Sequence, residues 1–373
     1  MAEDATPPRP ETSTAPASGH PAGGQPASGQ ALSEVFRGSA GGEHALKDAR
    51  SSKGIEQRTI PAFVAGDELA DLAEHDERIV VLTADLANAN RTADFATRHP
   101  DRFFNMGVAE QNMVSVAAGL ASAGQIPFVA TFASYLALLA CEQIRTDCAY
   151  PGMPVRLLGH HSGMSLGYYG TSHHSLEDIG IMRTIADMTV VCAADANELR
   201  ALLRLSLDWP GAMYIRLGRG RDPEVYPEPP AGLRIGRAVR LRDGDDLTMI
   251  TTGSEVRACL DAAELLAMQG TSVRVVDMHT IKPLDVGEIL SAAGETGGIL
   301  TVEEHNRTGG LGSAVAETLA DAGAATPLLR HGVPDVHVVL GPPAGLYARY
   351  ELDANGIASK ALELLSSSKG AKS

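Results

Sequence analysis

The sequence predicts an α/β protein of two doubly wound domains, each built on a mostly parallel sheet, behind a disordered N-terminal tail. Three observations carry that prediction. Short apolar runs alternate with helix-length amphipathic segments from residue 58 onward. The alternation breaks once, where four prolines fall between Pro223 and Pro230, and then resumes. Residues 1–57 show no periodicity. They are rich in Ala, Pro, Ser, Gly and Thr, with Phe36 the only aromatic, and cannot bury enough surface to offset chain entropy.

The expected order is a tail (1–57), a first domain (58–222), a linker (223–235) and a smaller second domain (236–373). In the first domain, residues 62–74 read as an amphipathic helix and 79–82 as a buried strand, with a loop over 83–90. Residues 102–104 end a second strand. Gly107 follows, and Glu110 opens a helix of small residues whose Ala117, Ala118 and Ala121 leave one side almost without bulk. A third strand, 126–130, runs into Thr131-Phe132-Ala133-Ser134-Tyr135. Strands over 155–158, 189–192 and 213–217 alternate with helices over 176–185 and 197–207. The second domain repeats the pattern: strands at 247–251, 273–276, 299–302 and 336–340, helices at 255–268 and 311–322. Ligands of open α/β sheets gather at the carboxyl ends of the strands. That places Glu110, Phe132 and Tyr135 in the expected ligand zone.

Composition excludes some functions. Thirty-one Lys and Arg stand against 46 Asp and Glu, a net charge of −15. A chain this acidic is a poor partner for nucleic acid or an anionic membrane. No apolar run approaches the ~18 residues of a membrane span, and the N-terminus lacks the pattern of a secretory signal. The four cysteines, Cys141, Cys148, Cys192 and Cys259, have no ligand spacing and read as reduced, mostly buried thiols of a cytoplasmic protein. The loop 159–174 holds four histidines, His160, His161, His173 and His174. Zinc prefers histidine pairs on a helix or hairpin with a further ligand, so this loop does not favour a metal.

The runs GVAEQN, AAGLA and PFVATFASY, with TTGSEV, RVVDMHTIKPLD and VEEHNRTGGLGSAVAE further on, resemble the pyrimidine-binding and C-terminal domains of transketolases, over roughly residues 58–365. The resemblance implies thiamine diphosphate as cofactor and transfer of a two-carbon ketol or acyl unit from a ketose or 2-oxo donor to an aldehyde. It implies that Glu110 hydrogen-bonds the cofactor's aminopyrimidine ring, that Phe132 and Tyr135 pack on its face, and that Asp85 lies nearby. A carboxyl group sharing a proton with that ring, against an apolar wall, makes the cofactor's own amino group basic. It also implies that His161 meets the acceptor and His173 the donor carbonyl, work suited to an imidazole. Arg219 matches a residue that grips the acceptor's phosphate, and Arg58 is a second candidate. His160 and His174 are assigned to loop structure, and Arg216, His279, Glu303, Glu304 and His305 to architecture.

The departures matter as well. Transketolases also need a diphosphate-binding domain with a Gly-Asp-Gly run and a downstream Asn that hold Mg2+. Gly66-Asp67 lies in a helix pattern and 242–246 in a turn, so neither supplies that run. The resemblance therefore implies a split enzyme, in which an N-terminal partner subunit carries the metal ligands in an α2β2 heterotetramer. The small-residue helix offers a place for contact between subunits. Tyr169 stands where sugar-specific members carry an aspartate that binds a substrate hydroxyl, and Ala89 where a phosphate-binding serine is common, which suggests atypical substrates. The alternatives are the β subunit of a 2-oxoacid dehydrogenase, a catalytically silent scaffold, or an autonomous small-molecule binder.

Overall fold

A computed structural model describes residues 61–219 and 224–370. The N-terminal tail and Arg58 lie outside the described residues. Two sheets organise the chain. The first has seven strands: β1 (Ile79–Thr83), β2 (Phe103–Asn105), β3 (Ile126–Phe132), β4 (Arg156–His160), β5 (Thr189–Cys192), β6 (Met213–Arg216) and a short β10 (Thr280–Lys282). Their order across the sheet is β10-β5-β6-β4-β3-β1-β2, all parallel except β10. Every residue of β1, β3, β4, β5 and β6 is buried, as expected of a parallel sheet covered by helices on both faces.

The second sheet comprises β7 (Val239–Arg242), β8 (Leu247–Thr251), β9 (Val273–Asp277), β11 (Ile299–Asn306) and β12 (Leu328–Val333). Its order is β12-β11-β8-β9-β7, with β7 the antiparallel edge. The sequence reading requires two corrections here. Residues 336–340 form no strand: Val336, Val339 and Leu340 are exposed. Pro334 and the Gly341-Pro342 pair bracket that apolar run and deny it a ladder. The partner of β11 is β12 instead, whose Arg330, His331 and Gly332 gave no strand pattern. Strands β7 and β10 were also missed: β7 is a half-exposed edge that alternates with arginines, and β10 is three residues long and antiparallel to the rest of its sheet.

With only 4% aromatic residues in the chain, the core is mainly aliphatic side chains and methionine, with Phe95, Phe128 and Tyr214 as its buried rings. Helix α1 (Pro61–Leu72) buries Ala65, Leu69 and Ala70. A further helix, α2 (Ala93–Arg98), leads to α3 (Glu110–Ser122). Ala117, Ala118 and Ala121 of α3 are buried in this chain's own core beside Val129 of β3. These three alanines pack on the sheet, whereas Ser115, Val116, Gly119 and Leu120 on the helix's other side stay partly or fully exposed. No helix among the described residues is long and apolar enough to cross a membrane.

A buried knot of charge joins the two sheets. Arg216, the last residue of β6, is 3% exposed. Its Nε donates to Asp178 Oδ2 at 2.8 Å, and its Nη2 donates to the Glu304 carbonyl at 2.8 Å and to the Ser175 carbonyl at 3.2 Å. Tyr214 donates to the same Asp178 oxygen at 2.8 Å. The Glu304 carboxylate, on β11, accepts from Met164 N (2.6 Å), Tyr347 Oη (2.6 Å) and Ser254 Oγ (2.9 Å). Gly163 has φ +62° and passes so close that a Cβ there would sit 1.9 Å from Glu304 Cδ.

Removing one partner of such a buried pair strands the other charge in a dry interior. Arg216→Met should therefore lower the unfolding free energy by about 3–5 kcal/mol, read as a fall in the urea midpoint. An unchanged midpoint would show that the knot contributes nothing to the fold.

Candidate functional site

The topology sets out the candidate residues before any side chain is considered. Arg219 follows β6, His161 follows β4, Phe132 ends β3, Asp85 follows β1 and Glu110 follows β2. In the sheet these strands run β6-β4-β3-β1-β2. At about 4.8 Å per strand, five neighbouring carboxyl ends deliver the candidates as one row along a single edge.

Local backbone chemistry then fixes each position. Asp85 holds a left-handed φ of 59°. Its backbone N–H donates to Asn105 Oδ1 at 3.0 Å, and Asn105 Nδ2 donates to Asp85 Oδ1 at 3.1 Å. His161 is also left-handed, at φ 60°, as is Arg91 at φ 58°. Non-glycine residues held this way cost of order 1–3 kcal/mol each and concentrate at functional sites. A helical glycine, Gly66, makes room for Arg91: a Cβ there would lie 1.9 Å from the Arg91 carbonyl oxygen.

Glu110 is 6% exposed and opens α3. Its hydrogen bond within the chain is a long one, from Thr131 Oγ1 at 3.5 Å. Phe132 lies edge-on to Tyr135 (centroids 5.3 Å) and to His161 (4.9 Å), and is tilted against His173 (5.3 Å). Tyr135 Oη lies 3.1 Å from His173 Nε2, and Tyr169 packs on the same imidazole at 5.0 Å. Burial, and then the charge of Glu110, push the Tyr135 phenol up, so it stays protonated. Glu110, Phe132, Tyr135, His161, His173 and Tyr169 thus form one continuous group.

His161 is fully inside the group. Burial pushes its imidazole down to about 2, and His160, Arg219, Arg91 and His173 all act in the same direction. Arg219 and Arg91 are therefore electrostatic neighbours of His161, and each other's. His160 is the final residue of β4, not part of the loop, and burial alone holds it at about 3. His174 is buried below the loop, with burial lowering its basicity. The loop closes on itself through Gly163 and Ser175, which exchange two 3.0 Å backbone hydrogen bonds. No cluster of three His, Cys, Asp or Glu among the described residues has the arrangement of a metal site. Burial pushes Cys148 and Cys192 up to about 12, and Cys259 is raised too, consistent with unreactive thiols.

Glu304 was expected to be architectural and is, but its contact with the histidine loop, like the place of Arg91, was not read from the sequence. Glu304 clamps the base of the histidine loop from 140 residues away in the chain, and Arg91 joins the row through a backbone conformation that its residue type conceals. Large apolar side chains also stand open around the site: Val108 (81% exposed), Leu138 (56%), Tyr168 (69%) and Tyr169 (58%).

Residues 62–223 match the model of the transketolase pyrimidine-binding domain, and residues 236–357 that of the transketolase C-terminal domain. The chain is 41% identical to a subunit of the apulose-4-phosphate transketolase of Phocaeicola vulgatus, over 80% of this chain and 95% of that one. It is 39% identical to the 6-deoxy-6-sulfo-D-fructose transketolase subunit SqwH of a Clostridium species, over 80% and 92%. Among solved structures, a split-gene transketolase described as an inactive β4 tetramer superposes with a TM-score of 0.74 at 39% identity, covering 81% of this chain and 97% of that one.

The buried imidazoles give the fold an acid limit. In the unfolded chain they take up protons as the pH drops below about 6.5, whereas the fold holds His160 at about 3 and His161 at about 2. The unfolded state then binds more protons, so stability falls as the pH falls below that value, by about 1.4 kcal/mol per unit for each ring. Urea midpoints at pH 7, 6 and 5 should drop steadily; a flat series would mean that both rings titrate normally inside the fold.

Proposed function

The chain belongs to the transketolase family, and we propose that it is one subunit of a two-component transketolase, active only with a partner that carries the diphosphate- and Mg2+-binding domain. The observation that supports the proposal is the row of five strand ends, which brings an acid, two aromatics and two imidazoles together, with Glu110, Phe132 and His161 buried and Tyr135 and His173 half-buried beside an exposed rim. Val108, Leu138, Tyr168 and Tyr169 are the kind of exposed apolar rim that a second protein covers. The chain spans nearly the full length of relatives named as subunits, and the similar solved structure is a β tetramer described as inactive. An α2β2 assembly with composite sites accounts for these features.

The residues present suit thiamine diphosphate. Glu110 is a buried carboxylate with only a long partner of its own, and so is free to take a ring nitrogen. Phe132 and Tyr135 supply apolar faces next to it, and Asp85 is fixed at the neighbouring strand end. When bound, thiamine diphosphate supplies the carbanion equivalent that accepts and passes on a two-carbon unit. This chain's own residues would offer a hydrogen-bond partner to the cofactor's ring at Glu110, flank it with the rings of Phe132 and Tyr135, and hydrogen-bond ligand oxygens through His161 and His173. Arg219, with Arg58 as a second candidate, takes the anionic end of a substrate.

Tyr169 sets specificity in this reading. It lies against His173 and presents a largely apolar ring where a carboxylate would bind a substrate hydroxyl. Relatives named for apulose 4-phosphate and for a sulfo-sugar accord with a branch that uses atypical substrates.

The test is co-purification with a partner that carries the diphosphate-binding domain, followed by calorimetry with thiamine diphosphate and Mg2+. Glu110→Gln in the complex should lower turnover by about 10²–10⁴-fold; turnover like that of the wild type would sink the assignment. Tyr169→Asp should shift the kcat/KM ratio between a hydroxylated substrate and its deoxy analogue by at least about tenfold. An unmoved ratio would remove Tyr169 from specificity.

A further inference from the structure

We infer that Ser172 is a positioning residue that fixes which ring nitrogen of His173 carries the proton, and that the Tyr135 hydroxyl holds the opposite nitrogen. The inference rests on the transketolase reading of the site. It gives both hydroxyls a function that resemblance alone does not assign.

Both nitrogens of His173 face a hydroxyl. Ser172 Oγ lies 2.8 Å from Nδ1, and Tyr135 Oη lies 3.1 Å from Nε2. The rings of Phe132, Tyr135 and Tyr169 surround the imidazole at 5.3, 5.5 and 5.0 Å. A ring flip would point carbons at both hydroxyls and forfeit both bonds. The backbone is held as well: His173 N donates to the Gly170 carbonyl at 2.9 Å, and Ser134 Oγ reaches the His173 carbonyl at 3.5 Å.

Partial burial lowers the basicity of His173, so it is neutral at neutral pH, with one N–H and one lone pair. The titratable groups around it are Tyr135, Tyr169, His161 and His174, with Glu110 acting on Tyr135. None of the four that touch or flank the ring is a carboxylate that would stabilise an imidazolium.

The direction of the hydrogen bonds follows from the acceptors available. Ser172 Oγ has a second neighbour, the Tyr169 carbonyl oxygen at 3.4 Å, which can only accept. With the serine proton directed there, Oγ accepts from Nδ1–H. Nε2 is then the bare nitrogen, and the phenol of Tyr135 donates to it. The chain of donors runs Tyr135 to His173 to Ser172 to the Tyr169 backbone, and such chains strengthen each member. A ligand that parts the Tyr135 hydroxyl from Nε2 therefore frees a phenol proton for a carbonyl oxygen and an Nε2 lone pair for a hydroxyl. Ser172 acts on the ligand only through the ring.

Nitrogen-15 NMR of the histidine-labelled chain, with His173→Gln to assign the signal, reads the tautomer directly. The wild type should show the Nδ1–H form. Ser172→Ala should give a mixture of tautomers, and Ser172→Thr should restore the single form. In the assembled enzyme, Ser172→Ala should move the acidic limb of the kcat/KM pH profile by about half a unit or more, with Ser172→Thr following the wild type. An Nε2–H tautomer in the wild type, or a Ser172→Ala variant whose spectrum and pH profile overlay the wild type, would overturn the inference. Failure of the complex to bind thiamine diphosphate would overturn the transketolase reading instead, and the NMR result would still decide the role of Ser172.

Discussion

The site depends on a carboxylate that never touches it. Glu304 lies on the second sheet, yet its two oxygens take the Met164 amide and the hydroxyls of Tyr347 and Ser254. Its backbone carbonyl takes Arg216 from the first sheet. Buried charges on this scale are tolerated only when every partner is in place. The base of the histidine loop is thereby fixed to both sheets at once, while its tip, with Tyr168, Tyr169 and Ser172, stays exposed. Such an arrangement can hold His161 rigidly and still let the outer loop meet a ligand.

Strain and topology divide the remaining work. The parallel strands set the spacing of the candidate residues, and the left-handed turns at Asp85, Arg91 and His161 aim three of them. A parallel sheet supplies those positions without dedicated loops, because each strand must end somewhere and its last carbonyl needs a partner. The orientation costs energy locally, and the aliphatic packing of the two cores offsets it.

What could be read in advance followed from local pattern. Phe132 and His161 sit at the ends of fully buried strands, and such apolar runs are the clearest signal a sequence offers. The helix at 311–321 and the strand at 247–251 were legible for the same reason. The roles expected of Glu110, Phe132, Tyr135 and His161, by contrast, came from the family resemblance. The Glu304 clamp was not, because its meaning lies in a contact between distant segments. Neither were the left-handed turns, since Asp, Arg and His do not announce such a backbone as glycine does. Residues 336–340 misled in the opposite way: their pattern is strand-like, but Pro334 and the Gly341-Pro342 pair that flank them keep them out of a ladder.

Strand β10 is three residues long and comes from beyond the proline-rich segment, yet it closes the edge of the first sheet against β5. The chain thus crosses between its halves a second time. Severing it at residues 223–235 would therefore not release two self-sufficient pieces. The N-terminal piece would keep β5 with a naked row of amides and carbonyls along Thr189–Cys192, a template on which further copies could stack into aggregates.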